Sequence, residues 1–106
     1  MTELSGKQKR HLRSLGSKLK ESVIVGKGGT SPAVIARIAS LLARHELIKI
    51  RLLSLNAKER PAAADKIAQA TDATVAGVLG GTMLLYKPNE ELQPAKRIKL
   101  PPAREN

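Results

Sequence analysis

Glu46-Leu47-Ile48-Lys49-Ile50-Arg51-Leu52-Leu53 alternates with a period of two. Ile48, Ile50 and Leu52 fall on one side, and Leu47, Lys49, Arg51 and Leu53 on the other. That is the period of a β-strand, whose successive side chains point to opposite faces. One side is wholly apolar and must be covered. The other carries two cations and is free to meet solvent or a ligand.

The segments on either side supply the cover. Upstream, Ser31-Pro32 opens a helix that runs to about His45, with Ile35, Ile38, Leu41 and Leu42 as its apolar stripe. Proline suits the first helical position because its missing N–H would be unpaired there anyway. Before it, Ser22-Val23-Ile24-Val25 reads as a short strand ending at Gly26. Strand, helix, strand implies a parallel pair with a right-handed crossover. Ser5 and Gln8 match a capping box for a first helix of about Gly6 to Ser17, with Leu12, Leu15 and Leu19 on one stripe.

Downstream, an alanine-rich helix spans about Arg60 to Thr71, with Pro61 in its first turn. Thr74–Leu79 and Thr82–Lys87 follow as strands, joined by Gly80-Gly81 as a two-residue hairpin turn. The expected fold class is α/β: a single domain of order αβαβαββ with a mixed four-stranded sheet packed with helices. Strand order stays open. Residues 1–88 form the expected domain. Residues 89–106, with prolines at 94, 101 and 102 and the cluster Lys96-Arg97-Ile98-Lys99, are expected to be a flexible basic tail whose loss leaves folding unchanged.

Composition narrows the function. Nineteen Lys and Arg face nine Asp and Glu, a net charge of +10. Half of that excess lies in residues 1–27, with seven basic and two acidic groups. A field this strong steers polyanions toward the surface. No apolar run approaches the roughly 18 residues of a membrane span. Met1 to Lys20 lacks the apolar core of a secretion signal, so a cytoplasmic location is expected. The chain has no cysteine, which excludes disulfides and thiolate metal sites.

Catalysis has little to rest on. His45-Glu46 begins like a zinc-protease helix, but Lys49 stands where the second histidine belongs. His11 has no evident partner, Asp65 and Asp72 fit solvated positions in or beside the third helix, and Glu90-Glu91 fits tail charge. No catalytic residue, metal site, cofactor or small-molecule substrate is expected.

Gly26-Lys27-Gly28-Gly29 lies between a strand and a helix start. Glycines there admit close backbone approach, and the helix start offers free N–H groups and partial positive charge. The segment fails as a P-loop, because Gly28 follows Lys27, and as a dinucleotide fingerprint, because Ser31 replaces a required glycine. It matches the GXXG loop of KH domains locally, although there the loop joins two helices. Tyr86 is the sole aromatic residue, too little for a base-stacking platform. Phosphate contacts and RNA shape should therefore dominate.

Four stretches together resemble the CRM (chloroplast RNA splicing and ribosome maturation) family in its stand-alone, YhbY-type bacterial form. They are Lys7-Gln8-Lys9-Arg10 with Leu12 and Leu15, Gly26-Lys27-Gly28-Gly29 before Ser31, His45 to Arg51, and Thr82 to Pro88. The resemblance spans about residues 4–88. It implies a fold similar to the C-terminal domain of translation initiation factor three. It also implies RNA binding in ribosome biogenesis, in association with the pre-50S particle, where 23S rRNA is the expected partner; a monomer is expected. The GXXG loop, Gly26, Lys27, Gly28 and Gly29, carries over as an RNA contact. Lys7, Lys9, Arg10, Arg13, Lys49 and Arg51 complete the candidate surface if they share a face, which the sequence leaves open.

Three positions depart from the family pattern: Thr30 for an apolar residue, Glu21 for a common proline, and Gly81 for a basic residue before Thr82. Two other readings compete. One is a CRM module acting in intron splicing; the other is a basic adaptor bound to a ribosomal protein or assembly factor.

Overall fold

The computed structural model describes residues 3–26, 30–53 and 56–102. Its elements are α1 (Gly6–Gly16), β1 (Glu21–Val25), α2 (Pro32–His45), β2 (Leu47–Leu52), α3 (Arg60–Thr71), β3 (Thr74–Leu79) and β4 (Thr82–Tyr86), with a 3-10 turn at Pro94–Lys96. The αβαβαββ order is the one expected. The four strands form a mixed sheet in the order β1-β2-β4-β3. β1 and β2 run parallel, and β4 is antiparallel to both of its neighbours.

Local chemistry fixes the helix starts. At α1 the capping box is complete: Gln8 N–H donates to Ser5 Oγ at 3.1 Å, and Ser5 N–H donates to Gln8 Oε1 at 3.0 Å. At α2, Val34 N–H donates to Ser31 Oγ at 3.2 Å, with Pro32 at the first helical position. Caps of this kind are each worth about 1 kcal/mol.

The sheet is covered on both faces. On one, α2 and α3 press Ile38, Leu42, Ala64 and Ile67 against Val23, Val25, Ile48, Ile50, Leu52, Met83 and Leu85. On the other, Leu12 and the half-buried Leu15 of α1 pack with Leu47, Ala76, Leu84 and Tyr86. The alternation in β2 is thus realised, but Leu47 is buried as fully as the apolar side.

Two features differ from the sequence reading. The strand begins at Leu47, because Glu46 caps α2 with φ 61° and ψ −33°. Left-handed backbone is costly for a residue with a Cβ, by about 1–2 kcal/mol. Here it swings the Glu46 side chain inward to complete burial. The second difference lies beyond Pro88, where a flexible tail without core contacts was expected. Ile98 and Leu100 instead pack on the Leu12–Tyr86 cluster, and Gln8 Nε2 donates to the Pro101 carbonyl at 3.1 Å.

Glu46 holds that segment. Its carboxylate accepts from Asn89 N–H at 2.6 Å, Ile98 N–H at 2.7 Å and Arg97 Nε at 3.3 Å. Its carbonyl accepts from Lys87 N–H at 2.8 Å. A buried carboxylate is tolerated when it is hydrogen-bonded and paired, and this one is both. Tyr86 lies nearby, and desolvation and the Glu46 charge push its phenol above the usual value against the opposing pull of Arg97.

Candidate functional site

The register places three connections at one end of the sheet. Val25 pairs with Leu52, Arg51 with Thr82, and Thr82 with Leu79. The segment after Gly26, the turn after Leu52 and the Gly80-Gly81 hairpin therefore all leave from that end. The helix starts at Ser31 and Arg60 follow the first two connections. Glu46, Tyr86 and the docked C-terminal segment occupy the other end.

Lys27, Gly28 and Gly29 lie outside the described residues. Gly26, which precedes them, is informative. A Cβ built on it would meet nothing within 4 Å, and its backbone is not left-handed. Among the described residues, neither packing nor backbone conformation requires glycine there.

The α1 face of the sheet stays open toward this end. Ile24, Arg51, Thr82 and Leu79 form one row across all four strands, and Lys49, Leu84 and Gly77 the row behind it. α1 covers Leu84 and leaves the first row uncovered: Ile24 is 59% exposed and Leu79 63%. Two exposed apolar residues flanking a cation and a hydroxyl, with no covering element among the described residues, make a surface suited to a partly apolar anionic ligand.

The structure brings some of the expected cations together and separates others. Arg13 and Lys49 line one small pocket of about 60 Å³, with Gly16, Ser17, Gly77, Leu79, Thr82 and Leu84 around it. Helix one and strand two thus contribute to the same face. Arg51 adjoins them, but its guanidinium lies 4.0 Å from the Glu21 carboxylate, so its charge is partly offset. Lys9 lines a neighbouring pocket with Arg13 and Asp65. Lys7 and Arg10 fall roughly opposite Leu12 on α1 by the 3.6-residue period, turned from the sheet.

Sequence reading missed the roles of three residues. Glu21 is the Cα partner of Lys49 in β1 and the ion-pair partner of Arg51. A Cβ on Gly16 would lie 2.5 Å from the Leu84 side chain, so with any other residue Leu84 or the end of α1 would have to shift. A Cβ on Gly77 would lie 3.0 Å from Arg13 Cδ. Gly16 reads in sequence as the break that ends the first helix, but no sequence signal marks the close contacts of either glycine, because each serves a residue far away in the chain. Among the described residues, no three His, Cys, Asp or Glu side chains gather as a metal site would need.

The chain matches known proteins over nearly its whole length. The model of the CRS1 / YhbY (CRM) domain matches residues 4–87. An RNA-binding protein of Haemophilus influenzae is 34% identical over 101 residues, which cover 95% of this chain and 98% of the relative. Probable RNA-binding protein YqeI of Bacillus subtilis is 36% identical over 98 residues, covering 92% and 99%. Among solved structures, the hypothetical protein SAV1595 of Staphylococcus aureus superposes with a TM-score of 0.80 at 33% identity, covering 93% of this chain and 100% of that one.

Proposed function

The chain belongs to the CRS1/YhbY (CRM) domain family, and on that premise we propose that it is a non-catalytic RNA-binding protein of ribosome assembly. Its target in this reading is 23S rRNA of the pre-50S particle, held by phosphate contacts at the Gly26-Lys27-Gly28-Gly29 loop and along the adjoining basic face. The relatives' names support RNA as the ligand class. The observation that supports the site is the convergence of Arg13, Lys49 and Arg51 where α1 ends on the sheet and the open row begins, toward the end at which Gly26 lies.

Charge rather than stacking holds the RNA, since Tyr86 is the sole aromatic residue and is buried. If about five phosphates are neutralised, log K falls against log salt with a slope of roughly −3.5 for a single strand. Affinity then drops on the order of 100-fold between about 50 and 200 mM salt.

Crosslinking in cells followed by sequencing of the attached RNA tests the target, and 23S reads enriched in precursor particles are expected. Nuclease treatment should release the protein from heavy sedimenting fractions. Retention there after complete RNA digestion would establish the adaptor reading instead. The loop is tested by replacing Lys27 and Gly28 together with Asp, which places two carboxylates where phosphate should sit. Replacing Lys66 and Ala70 together with Asp makes the same three-unit charge change on exposed positions of α3, on the opposite face of the sheet. The loop variant should lose most binding and the control little. Equal losses would mean that the overall field binds RNA and the loop does not.

A further inference from the structure

We infer that Arg13 and Lys49 form a second, preorganised phosphate subsite, and that Gly77 exists to hold Arg13 in it. This deepens the RNA-binding reading and rests on it. The ligand is a phosphodiester of the bound strand, taken up toward the end of the sheet at which Gly26 lies.

Three observations converge. Arg13 and Lys49 come from different elements, α1 and β2, yet line one pocket of about 60 Å³. Among the described residues, neither side chain has a hydrogen-bond or ion-pair partner. The nearby carboxylate, Glu21, reaches Arg51 instead. Two cations brought together repel one another, so unneutralised they oppose folding, and a bound anion reverses the sign. The adjoining pocket also includes Arg13 but contains Asp65, and is the poorer home for phosphate.

The third observation concerns Gly77. In β3 the register shifts between Val75 and Gly77, a bulge that leaves Gly77 opposite Leu84. A Cβ at Gly77 would stand 3.0 and 3.1 Å from Arg13 Cδ and Cγ. The Arg13 stem therefore rests close over the glycine, and a side chain at position 77 would push it outward by a few tenths of an ångström or more. An arginine whose stem is held by packing has lost part of its rotamer freedom before it binds. Long side chains otherwise lose up to about 2 kcal/mol of conformational freedom on immobilisation. Gly77 is a positioning residue, acting through Arg13.

The spacing suits one strand contacting both sites. Lys49 lies three residues back from Leu52, the β2 residue level with Val25. At about 3.3 Å per residue the subsite stands roughly 10–15 Å from Gly26, a few nucleotides along a backbone.

The test uses the full chain and a fluorescently labelled, unstructured 20-nucleotide RNA, read by anisotropy across a salt series. Arg13→Ala should weaken binding about tenfold and reduce the magnitude of the salt slope by about 0.7, the loss of one phosphate contact. Gly77→Val keeps every charge and suits a strand, yet should weaken binding nearly as much by displacing Arg13. In the Arg13→Ala background the same glycine change should add almost nothing. Wild-type affinity and slope in Arg13→Ala would overturn the subsite, and that variant alone decides it if Gly77→Val folds poorly. A full additional loss in the double variant would show that Gly77 acts through the fold.

A separate arm titrates inorganic phosphate and follows amide and arginine side-chain NMR shifts. Shifts centred on Arg13, Lys49 and Gly77 in a protein that binds no RNA would keep the phosphate subsite and remove the RNA reading. Shifts spread evenly over all basic residues would overturn the subsite itself.

Discussion

The two ends of the sheet handle charge in opposite ways. At one end Glu46 is fully buried, and its carboxylate is satisfied by two backbone N–H groups and Arg97. At the other, among the described residues, Arg13 and Lys49 stand together with no such partners, and Arg51 has an exposed carboxylate at 4.0 Å. A satisfied buried charge specifies one arrangement of the chain, whereas unsatisfied cations at a surface are available to something outside it. The first end should therefore respond to mutation in stability, and the second in binding.

The largest effect is expected at the closed end. Glu46→Gln keeps the shape but points an NH2 group at donors, leaving Asn89 N–H or Ile98 N–H without an acceptor. Breaking a buried, charge-assisted arrangement of this kind costs about 3–5 kcal/mol. For a domain of this size each kcal/mol shifts Tm by roughly 4–8 °C. Thermal melts should show a fall beyond 10 °C, and so should removal of residues 89–106, which strips the same carboxylate of its partners. RNA affinity of the folded protein should change little in Glu46→Gln. A melting curve unmoved by both changes would mean that the C-terminal segment contributes no stability.

What the sequence disclosed follows the same division. The order of elements was legible because each carries a local signal: the Ser5–Gln8 box, Ser31-Pro32, the alternation of β2 and the Gly80-Gly81 turn. Glu46 was not, since its role depends on a left-handed turn and on donors 43 and 52 residues away. A signal did exist in the tail: Arg97-Ile98-Lys99-Leu100 alternates as a half-buried extended segment does, and only the prolines around it argued for a solvated chain. The candidate cations were readable by type but not by face. Helical period turns Lys7 away from Arg13 but leaves Arg10 beside it, three residues back, and only the tertiary fold sets Arg13 beside Lys49.

A smaller effect, now in binding alone, is expected at Gly26. Because a Cβ there meets no protein atom within 4 Å, Gly26→Ala should leave Tm within about a degree or raise it slightly, by restricting the unfolded chain. If RNA backbone approaches this position closely, the added methyl should still weaken binding several-fold. Unchanged affinity would remove Gly26 from the contact and move the interface toward the open sheet face.

The smallest expected change runs in the opposite direction. Glu21 is the acidic neighbour on the open face, placed beside Lys49 by the register and 4.0 Å from Arg51. An exposed pair of this kind contributes little to stability, roughly 0–1 kcal/mol, so Glu21→Gln should barely move the melting curve. It should, however, free Arg51 for phosphate and remove a charge that repels the strand. RNA affinity should rise about two- to threefold at low salt, and the gain should fade as salt screens exposed charges. Glu90→Gln is the control, because it removes the same unit of charge from the exposed turn beyond Pro88, at the closed end. If both variants tighten binding equally, net charge explains the gain and the open face has no privileged role. A gain confined to Glu21→Gln would place the RNA over the row formed by Ile24, Arg51, Thr82 and Leu79.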